Sequence, residues 1–289
     1  MPDATLQPAP ASRPAPQAPP VPHATPQLDP ARFFLPVGYT CQTSNRTLDT
    51  QRDAKDGAYW APWRVKDAAR WQRHVYALAA RTTRQIIRAR TINNDPRPVR
   101  VLDVGCGVCV KLSEHLIPTG AHVVGIDQDS ALAVARNLGC RAELHPVNLE
   151  SPTLDPALDL NGHFDVILCA DVLEHLVNPD HALNFIRRCA HANTRIILST
   201  PERHRERGRA CMASLKPEHV REWAFAEFAA YVTSRGFHIA RHMLCTKDQA
   251  PILPARRQER DFRRNLSDRS PLSCQVIVAT LNADPGEAP

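Results

Sequence analysis

Long apolar runs are what this sequence most plainly lacks. No stretch approaches the ~20 consecutive apolar residues that a membrane span requires. The longest runs, such as VILCA at 166–170, are strand-sized. The N-terminus has no basic segment followed by an apolar one, so no Sec-type export is expected and the expected location is cytoplasmic. The cysteines do not form an even set: there are nine, and Cys169, Cys189, Cys245 and Cys274 lie inside apolar runs. That suits reduced core thiols rather than a disulfide framework. No internal repeat is present. With 43% hydrophobic and 23% charged residues over 289 positions, the chain is neither fully disordered nor collagen-like. It is long enough for one large domain or two small ones.

Proline is concentrated at one end. Residues 1–36 hold eleven of the 26 prolines, mixed with Ala and Gln, and read as a disordered tail. Residues 37–57 are polar and irregular. From about 64 to 90 the apolar residues Val65, Ala68, Ala69, Val75, Leu78, Ala79, Ile86 and Ile87 recur at helical spacing, which predicts one long or two short helices. Residues 37–98 are therefore expected to form a helical cap in front of the main domain. Residues 64–100 carry ten Arg and Lys against two acids. Such an excess suits either a solvated helix face or contact with phosphate or an acidic polymer.

From 99 the pattern becomes strand–helix alternation. VRVLDV (99–104), HVVGI (122–126), AELHPV (142–147), FDVILCA (164–170) and RIILST (195–200) read as strands, with KLSEHLI, SALAVARNL and HALNFIRRCA as helices between them. A further helix at 224–235 precedes two successive strands, FHIARHML (237–244) and CQVIVATL (274–281), separated by an Arg- and Pro-rich exposed loop at 250–271. The expectation is an α/β domain over 99–283. Its sheet is Rossmann-like, doubly wound and mostly parallel, and an antiparallel strand pair closes it.

The sharpest motif is V-L-D-V-G-C-G at 101–107, where a strand passes into a helix. A glycine turn there lets backbone N–H groups approach a ligand at the positive end of a helix. A dinucleotide fingerprint would need glycine at 110, where Val110 stands, and no Walker G-K-[S/T] is present. About twenty residues on, the second strand ends in G-I-D-Q-D, placing Asp127 where an acid accepts ribose hydroxyls. Together these imply a nucleoside cofactor with little phosphate to cradle.

On these motifs the sequence resembles class I S-adenosylmethionine-dependent methyltransferases of the type 11/23 kind, over residues 99–281. VLDVGCG matches the family's first motif, GIDQD the second, HPVNL the third and FDVILCADVLEHL the fourth. The resemblance implies seven strands and a cofactor site of Asp103, Gly105, Cys106, Gly107, Asp127, Gln128, Asn148, Leu149, Ala170 and Asp171. Gly105, Cys106 and Gly107 would lie against the methionine part, Asp127 would hold the ribose, Gln128 would flank the adenine, and Asn148 and Leu149 would edge it. Where the family has a third glycine, this chain has Cys109, whose side chain is expected to narrow the methionine end.

Asp171, Glu174 and His175 stand at i, i+3 and i+4, and a helix starting after the fourth strand would put them on one face at the cleft mouth. His175, with Glu174 second, suits the removal of a proton from an acceptor hydroxyl. The same pair with His219 resembles the Mg²⁺ or Mn²⁺ site of metal-dependent O-methyltransferases, including small-RNA 2′-O-methyltransferases. The segment from STPERHRERGRA to KPEHVREW resembles methyltransferases that accompany glycosyltransferases in surface-polysaccharide clusters. Its arginines 203, 205, 207, 209 and 221 are expected to face an anionic sugar or phosphate. The expected acceptor is a hydroxyl on a sugar, glycan or small metabolite. RNA, or a non-catalytic cofactor-binding role, are the alternatives.

Overall fold

The computed structural model describes residues 30–53, 59–152, 160, 164–246 and 272–282. Residues 1–29 and the expected loop at 250–271 lie outside the described residues. The strands are β1 (Arg100–Val104), β2 (His122–Asp127), β3 (Glu143–Pro146), β4 (Phe164–Ala170), β5 (Ala190–Pro201), β6 (Phe237–Cys245) and β7 (Cys274–Leu281). They form one sheet in the order β3-β2-β1-β4-β5-β7-β6. The first five run parallel, and β7 lies antiparallel between β5 and β6. This is the sheet the alternation implied.

Every residue of β4 is buried, because a central parallel strand is covered on both faces. On one face Leu102, Val104, Ile126, Ile167 and Cys169 pack under α5 (Pro179–Cys189) and α7 (Phe225–Ser234), through Leu183, Ile186, Phe228 and Tyr231. On the other, Val101, Val123, Val166 and Leu168 pack under α3 (Arg73–Ile92) and α4 (Asp129–Asn137), through Val75, Tyr76, Ala79 and Leu132. Strand alternation sorts each residue to its face.

The cap departs from expectation in one place and decides between the expected alternatives in another. Residues 37–57 are not all irregular: Arg46–Asp53 form α1, capped by Asn45, whose Oδ1 accepts the Leu48 N–H at 3.0 Å. The expected helical stretch is two helices, α2 (Pro62–Ala68) and α3, parted at Gln72, which takes a left-handed φ of 57°.

The tail reading also fails at its end. Phe33 and Leu35 are only 1% and 6% exposed, the Phe33 carbonyl accepts the Trp223 indole N–H at 2.9 Å, and the Arg221 guanidinium lies 4.1 Å from the Phe33 ring centre. Phe33 and Leu35 have enough apolar surface to bury, and the proline count of the whole segment masked them. Beyond it, the Thr40 N–H donates to the Met212 carbonyl and the Gln42 N–H to the Val220 carbonyl, so the N-terminal strap is stitched along the 212–220 loop.

Candidate cofactor and acceptor site

The site sits at the carboxyl ends of β1 to β4, where an open α/β sheet leaves a crevice. A cavity of about 190 Å³ there is lined by Gly105, Gly107, Asp127, Gln128, Asn148, Leu149, Asp171 and His175, among others. The glycine turn is forced by backbone geometry. Gly105 has φ +76°, and a Cβ there would lie 2.4 Å from a Val172 methyl. The N–H groups of Gly105 and Cys106 both donate to the Ile126 carbonyl, at 2.9 and 3.1 Å, so the turn is bolted to β2.

Asp127 completes that bolt. One carboxylate oxygen accepts the Gly107 N–H and the other the Gln128 N–H, each at 2.7 Å. Burial raises its pKa, and the two backbone bonds oppose the rise. Each oxygen has a second lone pair, so a ribose hydroxyl can still be accepted there.

Three expected site residues, Asp103, Cys106 and Ala170, do not line this cavity. Asp103 lines neither this cavity nor its neighbour. It alternates away from Leu102 and Val104 towards α3, where its Oδ2 accepts the Tyr76 hydroxyl proton at 2.8 Å. Burial pushes its pKa up to about 7. Cys106 is buried and, with Ala170, faces the neighbouring cavity on the far side of the turn. Cys109 holds the third-glycine place with a glycine-like φ of 60°, and its sulfur lies 3.5 Å from that of Cys106.

The helical face expected for Asp171, Glu174 and His175 does not form. Asp171 takes φ 53°, the following residues make a turn closed by the His175 N–H on the Val172 carbonyl, and α5 begins only at Pro179. Asp171 therefore points to Ser199, whose hydroxyl donates at 2.6 Å, and to Gln72, whose amide donates at 3.1 Å. Glu174 is fully buried: Thr200 donates to its Oε2 at 3.1 Å, while Oε1 has no partner among the described residues. Burial first, and Asp171 second, raise its pKa well above the ordinary carboxylate range, which favours the protonated form.

The turn nevertheless brings Glu174, His175 and His219 together, with one ligand atom from each within 4.8 Å of the others. His219 arrives through the backbone: the N–H groups of Val220 and Arg221 donate to the Glu174 carbonyl. The two imidazole rings meet edge to face at 4.7 Å. His175 Nδ1–H donates to the Glu218 carbonyl at 2.8 Å, with Thr47 Oγ1 3.0 Å from the same nitrogen. His219 Nδ1–H donates to Glu222 at 2.7 Å, and Lys216 donates to its Nε2 at 3.1 Å. Burial, His219 and Lys216 hold the His175 pKa well below 6.5, so its imidazole is neutral at physiological pH.

The expected arginine grip is largely consumed by structure. Arg203 is buried in a bidentate pair with Glu227, Arg207 pairs with Glu222, and buried Arg221 donates to the carbonyls of Leu176 and Val177. Of the five, Arg209 is exposed.

Sequence reasoning missed the residues that roof the cleft. Asn45, Thr47, Leu48 and Gln51 of the α1 region line the cavity, as do Trp60 and Glu150. Asn45, three residues before Leu48, was the available signal: an N-cap ahead of a helical turn. Glu150 ties the parts together, accepting from the Asn45 side chain and the Val177 N–H.

Residues 69–242 match the family described as a methyltransferase domain. A ubiquinone biosynthesis O-methyltransferase of Hahella chejuensis is 33% identical over 147 residues, 47% of this chain and 61% of that protein. The one from Pseudomonas paraeruginosa is 36% identical over 109 residues, 36% of this chain and 45% of that protein. The chain thus spans about half the length of these curated relatives. Among solved structures, the 4+2 cyclase SpnF superposes with a TM-score of 0.52 at 17% identity, over 86% of this chain and 89% of that chain, a likeness of fold alone. The family match takes in the glycine turn, the strand-end acid and the Asp171–His175 turn together, over more than half of the sequence. On that extent the chain belongs to the class I, S-adenosylmethionine-dependent methyltransferase family.

Proposed function

We propose that this protein transfers a methyl group from S-adenosylmethionine to a hydroxyl of a small molecule. The observation that carries this reading is His175: a neutral imidazole on the wall of the cofactor cavity, with Nδ1–H spent on the Glu218 carbonyl. That leaves Nε2 as the basic nitrogen. S-adenosylmethionine supplies an electrophilic methyl on a sulfonium. Asp127 accepts the ribose hydroxyls, Gln128, Asn148 and Leu149 edge the adenine, and the Gly105–Gly107 backbone bears on the methionine part. His175 takes the proton from the acceptor oxygen as it attacks. Glu174, fully buried, positions the turn rather than touching the acceptor. The curated relatives are named for O-methylation in ubiquinone biosynthesis, which favours a small-molecule hydroxyl over a polymer. Sugar and glycan hydroxyls are the competing acceptors.

A second reading is favoured by the Glu174–His175–His219 cluster. Its residues fit a divalent cation. A buried carboxylate oxygen of Glu174 lacks a partner among the described residues, and both imidazoles anchor Nδ1 on an oxygen acceptor, as metal-ligating histidines do. Such an ion, when bound, supplies Lewis acidity that lowers the pKa of the hydroxyl. Lys216 already sets a cation against His219 Nε2 and opposes this reading.

Labelled-methyl turnover against separated pools of small phenols, sugars, glycan and RNA, with and without EDTA, tests both. The base reading expects product in a small-molecule pool, indifferent to EDTA. Loss with EDTA and recovery with Mg²⁺ or Mn²⁺ favours the metal. Label confined to RNA or glycan overturns the small-molecule acceptor.

A further inference from the structure

The glycine turn also carries two thiols, and neither the ribose contact nor the proton transfer uses them. Cys106 and Cys109 are free, with their sulfurs in contact at 3.5 Å. The Cys109 N–H donates to the Cys106 carbonyl at 3.1 Å, which closes a four-residue turn. Such a turn keeps its end Cα atoms within about 7 Å, and a disulfide spans about 4.4–6.8 Å between the same atoms. The backbone thus suits a bridge, and the sulfurs have only about 1.5 Å to close. Both side chains are buried, yet both line a cavity of about 170 Å³ beside the nucleoside cavity. A small oxidant meets the two sulfurs there. Cys245 and Cys274 are also neighbours, paired across β6 and β7, but neither lines this cavity or the nucleoside one.

A peroxide supplies the chemistry. The Cys109 sulfur, its proton lost, attacks one oxygen of hydrogen peroxide, the O–O bond breaks and water leaves, so that Cys109 becomes a sulfenic acid. Cys106 gives up its proton and attacks the Cys109 sulfur, the S–O bond breaks and a second water leaves. Two electrons have then passed from the thiols to the peroxide. Burial, and then the Cys109 thiol, push the Cys106 thiol up, which suits Cys106 to the second, resolving step. Gly107 lies inside the ring that closes, and its N–H holds the Asp127 carboxylate at 2.7 Å. Drawing the sulfurs together therefore displaces a donor on which the ribose acid depends. We infer that Cys106 and Cys109 are a dithiol that a peroxide closes to a disulfide, and that closure and cofactor binding oppose one another. The inference rests on the cofactor reading above.

Peptide mass tests the bridge, because trypsin releases residues 101–111, VLDVGCGVCVK, which hold these two cysteines and no other. The reduced full chain is treated with hydrogen peroxide, its remaining thiols are alkylated, and it is digested. The peptide is expected two hydrogens lighter and without alkyl label, while Cys245 and Cys274 stay alkylated. Saturating S-adenosylhomocysteine is expected to slow closure about tenfold, and by reciprocity the oxidised chain should bind it about tenfold more weakly in calorimetry, with dithiothreitol restoring the affinity. Cys109→Ser is expected to bind S-adenosylhomocysteine equally before and after peroxide. A peptide that still takes two alkyl groups after peroxide overturns the site. Closure of Cys245–Cys274 at the same rate overturns the role of the cavity. Equal S-adenosylhomocysteine affinity in the reduced and bridged chains overturns the coupling. If the reduced wild type does not bind S-adenosylhomocysteine, the cofactor reading itself fails, and the mass of 101–111 still reads the bridge separately.

Discussion

The two ends of the cleft are built differently. The nucleoside end is made of backbone: a glycine turn, three strand ends and one carboxylate that bolts them together through the Gly107 and Gln128 N–H groups. The chemical end is made of ionisable side chains on turns: Glu174, His219 and Glu222 are buried, His175 is half-buried, and His219 is held between the exposed Lys216 and Glu222 while its ring meets that of His175. Glu222 shows the consequence. Burial raises its pKa, yet the bonds from His219 and Arg207 overcome this and bring it to about 2. Backbone sites tolerate side-chain changes, whereas a network of charges does not. The two ends therefore break in different ways.

The largest effect is expected at the chemical end. His175→Ala should lower turnover about 10²–10⁴-fold, the usual worth of a positioned base. S-adenosylhomocysteine affinity, read by calorimetry, should stay within about twofold. Full activity in this variant would remove His175 from the chemistry. Because its pKa is held below 6.5, the rate should be flat from pH 7 upwards and fall only in more acidic buffer, where the imidazole takes a proton. A rate still climbing steeply above pH 7 would point to a different base.

The next effect concerns what holds that end. The loop bearing His219 is backed by Trp223 and Arg221, which lie against Phe33. A chain starting at Val37 should lose about 3–5 kcal/mol relative to one starting at Pro30, the usual cost of emptying a buried aromatic site. Denaturant unfolding of the two chains reads this directly. Equal midpoints would show that the strap does not pack.

At the nucleoside end the effect is confined to binding. Asp127→Ala should weaken S-adenosylhomocysteine about 10–150-fold, corresponding to roughly 1.5–3 kcal/mol for a charge-assisted bond. Equal affinity would sink the ribose assignment and with it the contrast between the two ends.

The smallest effect lies behind the turn. The Asp103 carboxyl keeps its proton to about pH 7 in the fold against 3.8 as an ordinary carboxyl. Its contribution to stability is thus complete below pH 3.8 and lost as pH rises through 7. Asp103→Asn does not titrate and still accepts from Tyr76. Its melting temperature should gain on wild type by a few degrees between pH 5 and pH 8. A constant gap would contradict the shift.

The contrast also explains what could be read in advance. The all-buried β4, the turn at Gly105 and Asp127 at the end of β2 depend on residues adjacent in sequence, and they were legible. The chemical end is not local. His219 reaches His175 only because the 213–222 loop pairs its backbone with the Glu174 carbonyl, and Thr47 reaches it only because α1 folds over the cleft. Helical spacing misplaced Asp171 and Glu174 because a left-handed residue at 171 ends the strand in a turn. The arginines of 203–221 looked like a free basic loop, since their acid partners Glu222 and Glu227 are recognisable only once α7 is in place.

The central claim is that the crevice over Asp127 holds S-adenosylmethionine, and direct calorimetric titration with S-adenosylhomocysteine tests it most simply. The account predicts one site per chain with micromolar affinity, and no heat with NAD. Saturable binding of NAD, or no binding of S-adenosylhomocysteine by the folded wild-type chain, would contradict it.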